Sequence, residues 1–141
     1  MKIICRKLYE HEFEQALAIR FKVFVDEQKV PVEEERDSYD TTAVHFGAFY
    51  QNQIIGTGRV IVIDDKGKIG RLAVLKQYRG LGIGMTLINT IVDYCKELGL
   101  REVCLGAQLQ AIPFYEKAGF KVEGDIFDDA GIPHRTMGKK I

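Results

Sequence analysis

The feature that most constrains this chain is a long apolar stripe launched from a run of glycines. Ile83, Leu87, Ile88, Ile91, Val92, Cys95 and Leu98 recur at three- and four-residue steps, so only a helix can bury them together on one side. Gly99 stands where a left-handed cap would close that helix. Upstream, Lys68 to Val74 has strand character, and Arg79, Gly80, Gly82 and Gly84 lie between strand and helix. Glycines let the backbone approach a ligand without Cβ interference, and a helix N-terminus offers unpaired N–H groups and the positive end of the dipole. The combination predicts an anion cradle, and a pyrophosphate suits it. A simple strand-to-helix turn would need fewer glycines.

Two common phosphate motifs are absent. The dinucleotide fingerprint GxGxxG requires glycine where the chain has Met85, or Leu87 in the other register, and no GxxxxGKS or GxxxxGKT occurs. NAD binding and nucleotide hydrolysis therefore lose support. Twenty basic and twenty acidic residues cancel to zero net charge, so nothing draws the whole molecule to nucleic acid or anionic lipid. No stretch approaches the roughly 20 apolar residues of a membrane span, and Met1 to Lys7 lacks the apolar region of a secretion signal. Cys5, Cys95 and Cys104 are odd in number and widely spaced, as expected of reduced thiols in a cytoplasmic protein, with no zinc or other metal site.

At 141 residues the chain suits a single domain. Lys2 to Leu8 predicts a strand. Phe13, Ala16, Leu17, Phe21 and Phe24 predict a helix facing the core. Pro31 and the polar run Glu33 to Asp40 interrupt the pattern, which predicts a loop or short exposed helix at a mobile rim, with Glu33 to Glu35 as a solvated face. Val44 to Tyr50 and Gln53 to Ile63 read as a hairpin across Gln51-Asn52, followed by a turn at Asp64 to Gly67 and the strand Lys68 to Val74. After the long helix come a strand at Arg101 to Leu105, a short helix at Ala111 to Ala118 ended by Gly119, and a strand pair, Phe120 to Glu123 with Thr136 to Lys140. The fold class is mixed α/β, α+β-like: a central, mostly antiparallel sheet flanked by helices.

Arg79-Gly80-Leu81-Gly82-Ile83-Gly84 resembles the Gln/Arg-x-x-Gly-x-Gly/Ala acyl-CoA loop of the GNAT superfamily of N-acetyltransferases. Leu72-Ala73-Val74 resembles the strand that precedes it there, and Ala111 to Phe120 resembles the later helix with its FYEKxGF signature. Val23 to Gln28, His45, Gly106-Ala107-Gln108 and Gly131 to His134 are similar to the small bacterial ElaA/YjcF-like subgroup. The resemblance implies the GNAT fold over residues 1–141, with acetyl-CoA as donor, a small-molecule amine as acceptor and pairing as a homodimer. It also implies cofactor contacts from Leu72, Ala73, Val74, Arg79, Gly80, Leu81, Gly82, Ile83 and Gly84. Where many relatives have an asparagine the chain offers Gln108 and Gln110, with Gln108 as the implied cofactor contact.

The resemblance further implies that the strand bearing Leu72 to Val74 splays from its neighbour and pairs with the pantetheine arm, and that an N–H near Val74 stabilises the oxyanion. Tyr115 matches the family tyrosine that protonates the leaving thiolate; packing in the core is its other reading. The acceptor amine must lose a proton, and His45, His134 and Glu27 are the candidates for its base. Each has a structural alternative, and none has a unique spacing. Arg59 and Arg71 could pair with Glu27 or Asp26, bind an acidic group of the acceptor, or form a solvated cross-strand set. Two other functions fit parts of the chain: a non-catalytic acyl-CoA sensor, and an acyl-homoserine-lactone synthase, which its shortness and lack of tryptophan disfavour.

Overall fold

In the computed structural model, which describes Met1–Ile141, seven strands form one sheet in the order β1-β2-β3-β4-β5-β7-β6. The strands are β1 (Ile4–Lys7), β2 (Val44–Tyr50), β3 (Gln53–Ile63), β4 (Lys66–Val74), β5 (Glu102–Gln108), β6 (Lys121–Asp129) and β7 (Ile132–Lys140). All neighbours are antiparallel except β4 and β5, whose parallel pairing the long helix makes necessary by returning the chain to the same end. Gln51 and Asn52 both take positive φ, 50° and 65°, as the two-residue turn between β2 and β3 requires. Ala130 and Gly131 do the same between β6 and β7, at 53° and 80°. That second hairpin is longer than the sequence predicts. The alanine in its turn gives no signal, and the outer half of β6 is exposed.

The helices are α1 (Phe13–Arg20), α2 (Val32–Glu35), α3 (Ile83–Glu97) and α4 (Ile112–Lys117). On one face of the sheet, α3 buries Ile83, Leu87, Ile88, Ile91, Val92 and Cys95 against Phe46, Ile55, Val60, Val103, Leu105 and Met137. Each such side chain contributes ~1.5–3 kcal/mol on burial. α4 joins that layer, where a Cβ on Gly84 would stand 3.3 Å from Phe114 Cζ. Gly99 caps α3 at φ 79°, and Leu98, the last residue of the predicted stripe, is exposed.

On the other face, α1 covers only the β2 to β4 part of the sheet. Its buried residues are Ala16, Leu17, Ile19 and Arg20, while Phe13, Phe21 and Phe24 are half-buried, so the predicted face is shifted. The reason is a change of winding: Phe21–Glu27 continues α1 as a π-helix, whose wider turn breaks the 3.6-residue phase on which the prediction rested.

The second departure is the segment Glu33 to Asp40. Glu33, Glu34, Arg36, Ser38 and Tyr39 are exposed and α2 is the short exposed helix the sequence predicts, but the segment is anchored from beneath, with Glu35 2% exposed and Arg20 1%. Arg20 Nε donates to Glu35 at 2.6 Å and its Nη1 to Asp40 at 2.8 Å. Arg59 Nη1 and Nη2 donate to Asp37 at 2.7 Å each, and Nη1 also reaches Asp40 at 2.8 Å. Arg71 closes the set toward Glu35 and Asp37 at 3.2–3.3 Å. Three arginines thus pin an acidic segment to the sheet. Periodicity reads Arg20 as polar surface, whereas a guanidinium with matched carboxylates can be interred at the base of a helix.

Removing Arg20 would leave Glu35 and Asp40 buried without their closest cation. Arg20→Met is expected to cost ~3–5 kcal/mol of stability in urea unfolding. Burial pulls the Asp40 carboxyl upward, but the bonds and charge of Arg20 and Arg59 bring it down to about 2. Its folded value lies below its ordinary one, so its contribution is complete above about pH 4 and disappears as pH falls through about 2. Acid titration followed by circular dichroism should show that loss in wild type and a smaller one in Arg20→Met.

Candidate active site

Pairing between β4 and β5 runs only from Lys66↔Glu102 to Ile69↔Leu105. Beyond it β4 continues to Val74 and β5 to Gln108 without pairing, so the sheet opens into a V. The departure coincides with a bulge in β4: Arg59 pairs with Gly70 but Thr57 pairs with Ala73, and Arg71 takes φ 52°. An extra residue bends and twists the strand that carries it. The splay implied by the resemblance is therefore present, and Arg71 sits at its start.

Leu75 N–H donates to Ile55 C=O at 2.9 Å, so by alternation Ala73 also faces β3, while Leu72 and Val74 turn their peptide groups toward the opening. Val74 C=O accepts from Arg79 Nε at 2.9 Å. This leaves its N–H facing a gap in which β5 no longer runs alongside.

Below the opening lies the glycine loop. Gly80 and Gly82 take φ of 78° and 81°, a region costly for residues with a Cβ. A Cβ on either would meet nothing within 4 Å, so conformation rather than packing requires glycine there. The first bond of α3 runs from Thr86 N–H to Gly82 C=O at 3.1 Å, and none of the N–H groups from Gly80 to Met85 has an acceptor in the chain. Six consecutive donors at a helix N-terminus fit a polyanion. Ile83 is buried in the core and Gly84 has no side chain, so these two can meet a ligand only through their backbone, whereas Leu81 is exposed.

The cleft is about 1070 Å³ and occupies the face of the sheet that α1 leaves bare, reaching through the V to Tyr115 on α4. Tyr115 packs edge-on between Phe114 and Phe120, at 5.0 and 6.0 Å, and burial pushes its hydroxyl up to about 12. It therefore remains protonated throughout the ordinary pH range. Across the opening, Gln108 donates to Gln28 Oε1 at 2.8 Å, which ties the end of β5 to the π-helix. His134 pairs in register with Gln108. Its Nδ1 lies 2.7 Å from Ile132 C=O; a carbonyl only accepts, so Nδ1 carries the proton and Nε2 of the neutral ring carries a lone pair. Phe127 stacks on this ring at 5.6 Å, and a Cβ on Gly106 would come within 3.1 Å of Phe127 Cζ.

Leu72, Ala73, Val74, Arg79, Gln108, Tyr115 and His134 all line this cleft. His45 and Glu27 do not. His45 is held by a contact of 3.0 Å between Nε2 and Asp40 C=O and by Phe13 at 4.8 Å, and burial lowers its affinity for a proton. Glu27 is claimed by Arg79 in two bonds of 2.9 and 3.0 Å, which joins the π-helix to the start of the glycine loop. Arg59 and Arg71, which the sequence offered as partners for Glu27, bind Glu35, Asp37 and Asp40 instead. Gln28, at the end of the first helix as the sequence places it, also lines the cleft, whereas sequence reasoning passed over Phe127, whose place depends on a contact between distant segments.

A splayed sheet above a free-amide glycine loop defines an acyltransferase of the acyl-CoA-dependent class. The acetyltransferase (GNAT) domain model matches residues 9–141, and the chain belongs to that family, whose members take acetyl-CoA as donor. It is 37% identical over 140 residues to the N-acetyltransferase YjcF of Bacillus subtilis, covering 99% of both chains. The crystal structure of Escherichia coli ElaA superposes with a TM-score of 0.87 at 26% identity, over 98% of this chain and 99% of that one. The N-acetyltransferase PaiA of Thermoplasma acidophilum, solved in complex with coenzyme A, shares the fold with a TM-score of 0.75 at 24% identity and complete coverage of both chains.

Gly82→Ala places a Cβ on a left-handed residue and is expected to destabilise the chain by ~1–2 kcal/mol in urea unfolding. Glu27→Ala breaks an exposed pair and should cost no more than ~1 kcal/mol in the same assay.

Proposed function

We propose that the chain moves an acetyl group from acetyl-CoA directly to a small-molecule amine, both held together in the cleft. The observation that carries this reading is the meeting of the V-shaped opening with the six free amides of Gly80 to Met85. Those amides would hold the pyrophosphate, and the peptide groups of Leu72 and Val74 would pair with the pantetheine arm as a missing strand does. When bound, acetyl-CoA supplies an activated acyl carbonyl and a thiolate leaving group. Positioning of the two substrates is the main contribution of the protein.

Tyr115 is the proton donor to the departing sulfur, and a hydroxyl that burial keeps protonated is suited to that role. His134 is the base for the amine, because its Nε2 has a lone pair and its ring is fixed by Ile132 and Phe127. Gln108 orients the mouth of the opening through Gln28. His45 and Glu27 serve structure: the first seats the acidic segment, the second anchors Arg79.

Coenzyme A release measured over amines with wild type, Tyr115→Phe and His134→Gln tests this assignment. The expected result is a fall in kcat of ~10²-fold or more for each variant, at an unchanged KM for acetyl-CoA. With Tyr115 as acid, the wild-type rate should not decline on the alkaline side below about pH 10. Unchanged kcat in Tyr115→Phe would refute its role; binding of acetyl-CoA without release to any amine would favour a sensor.

A further inference from the structure

Arg71 is the cation at the edge of the opening, and its bonds differ from those of its neighbours. The shortest bonds of Arg20 and Arg59 to Glu35, Asp37 and Asp40 are 2.6–2.8 Å, whereas every bond of Arg71 is 3.2–3.3 Å. Each of the three carboxylates therefore has a closer bond from Arg20 or Arg59, and Arg71 supplies the third positive charge that balances the set. Nη2 and Nε of Arg71 lean on the carbonyls of Glu34 and Glu35 and on Asp37, while Nη1 has no partner. It is not sealed in, since Arg59 Nε is the one buried side-chain polar atom that lacks a partner. Arg71 lines the cleft with 23% of its side chain exposed.

Its backbone reinforces the point. Arg71 holds φ 52° at the bulge, a conformation that costs ~1–2 kcal/mol for a residue with a Cβ, and it stands where β4 leaves β5. The neighbouring Gly70 has open space where a Cβ would be. On the far bank of the opening stands His134, beside Gln108. An acceptor amine seated at the opening thus has a base on one side and a guanidinium with a free edge on the other.

We infer that Arg71 determines acceptor specificity by binding a carboxylate through Nη1, so that the acceptor is an amine that also carries an acid group. This inference rests on the acetyl-transfer reading above. A free guanidinium edge in a partly desolvated cleft favours an anionic oxygen over a neutral amide. The amine of such an acceptor then reaches His134, and its carboxylate lies against Gly70 and Arg71.

The test compares amino acids with their carboxamides and with the decarboxylated amines, in wild type and in Arg71→Lys and Arg71→Gln. Coenzyme A release and calorimetric titration of the coenzyme A-loaded protein are both measured. Arg71→Lys keeps the charge count of the ion cluster, and thermal melting confirms that each variant is folded. Wild type is expected to prefer the carboxylate forms by ~10- to 100-fold in kcat/KM. Arg71→Lys and Arg71→Gln should lose that preference, the ratio of kcat/KM for carboxylate over decarboxylated acceptors falling to about one through a rise in KM for the carboxylate forms. Equal use of carboxylates and decarboxylated amines by wild type, or an equal loss on all acceptors in both variants, overturns the inference. If no amine is acetylated, the acetyl-transfer reading fails, and calorimetry still decides the anion site: amino acids that bind wild type but not Arg71→Gln support it, and absence of binding to wild type refutes it.

Discussion

The four-residue parallel ladder between β4 and β5 holds the two halves of the sheet together, and the site exists because that ladder ends at Ile69 and Leu105. A parallel sheet continued to Val74 and Gln108 would pair every peptide group internally and leave no place for an extended ligand. The bulge at Arg71 ends the pairing by adding one residue to β4 and rotating Leu72 to Val74 away from β5. The unpaired peptide edge that results must be satisfied by water or a ligand, which makes the opening the candidate binding element of the proposed reading.

The opening keeps its shape through contacts on both sides of it. The ion cluster of Arg20, Arg59 and Arg71 with Glu35, Asp37 and Asp40 fixes one wall by tying the acidic segment to β3, β4 and α1. The Gln28 to Gln108 bond spans the mouth, and the Glu27 to Arg79 pair links the π-helix to the glycine loop. Each contact starts from the irregular stretch Phe21–Glu27 or lies close to it in the chain. The π-winding is thus the device that turns Val23, Phe24 and Gln28 toward the cleft.

The glycine loop, α3 and the central hairpins were legible in the sequence, since each depends on local rules: glycine at positive φ, the 3.6-residue stripe, paired β-branched runs. The resemblance supplied Tyr115 and the splay. Periodicity could not show Arg20 buried, because burial of a charge depends on carboxylates fifteen and twenty residues away. Nor could it separate His134 from His45; both are histidines on strands, and only the fold puts one in the cleft and the other behind Phe13. The outer part of the β6 and β7 hairpin was missed because β6 faces solvent at the edge of the sheet and the alanine in the turn carries no signal.

The central claim is that the open strand edge and the glycine-loop amides together receive one ligand, acetyl-CoA. Residue-resolved hydrogen exchange by NMR, with and without acetyl-CoA, tests it most directly. Slowed exchange is expected at the amides of Gly80 to Met85 and, in the same titration, at Val74 on β4. Protection confined to other segments, or at the loop without any change at Val74, would contradict it.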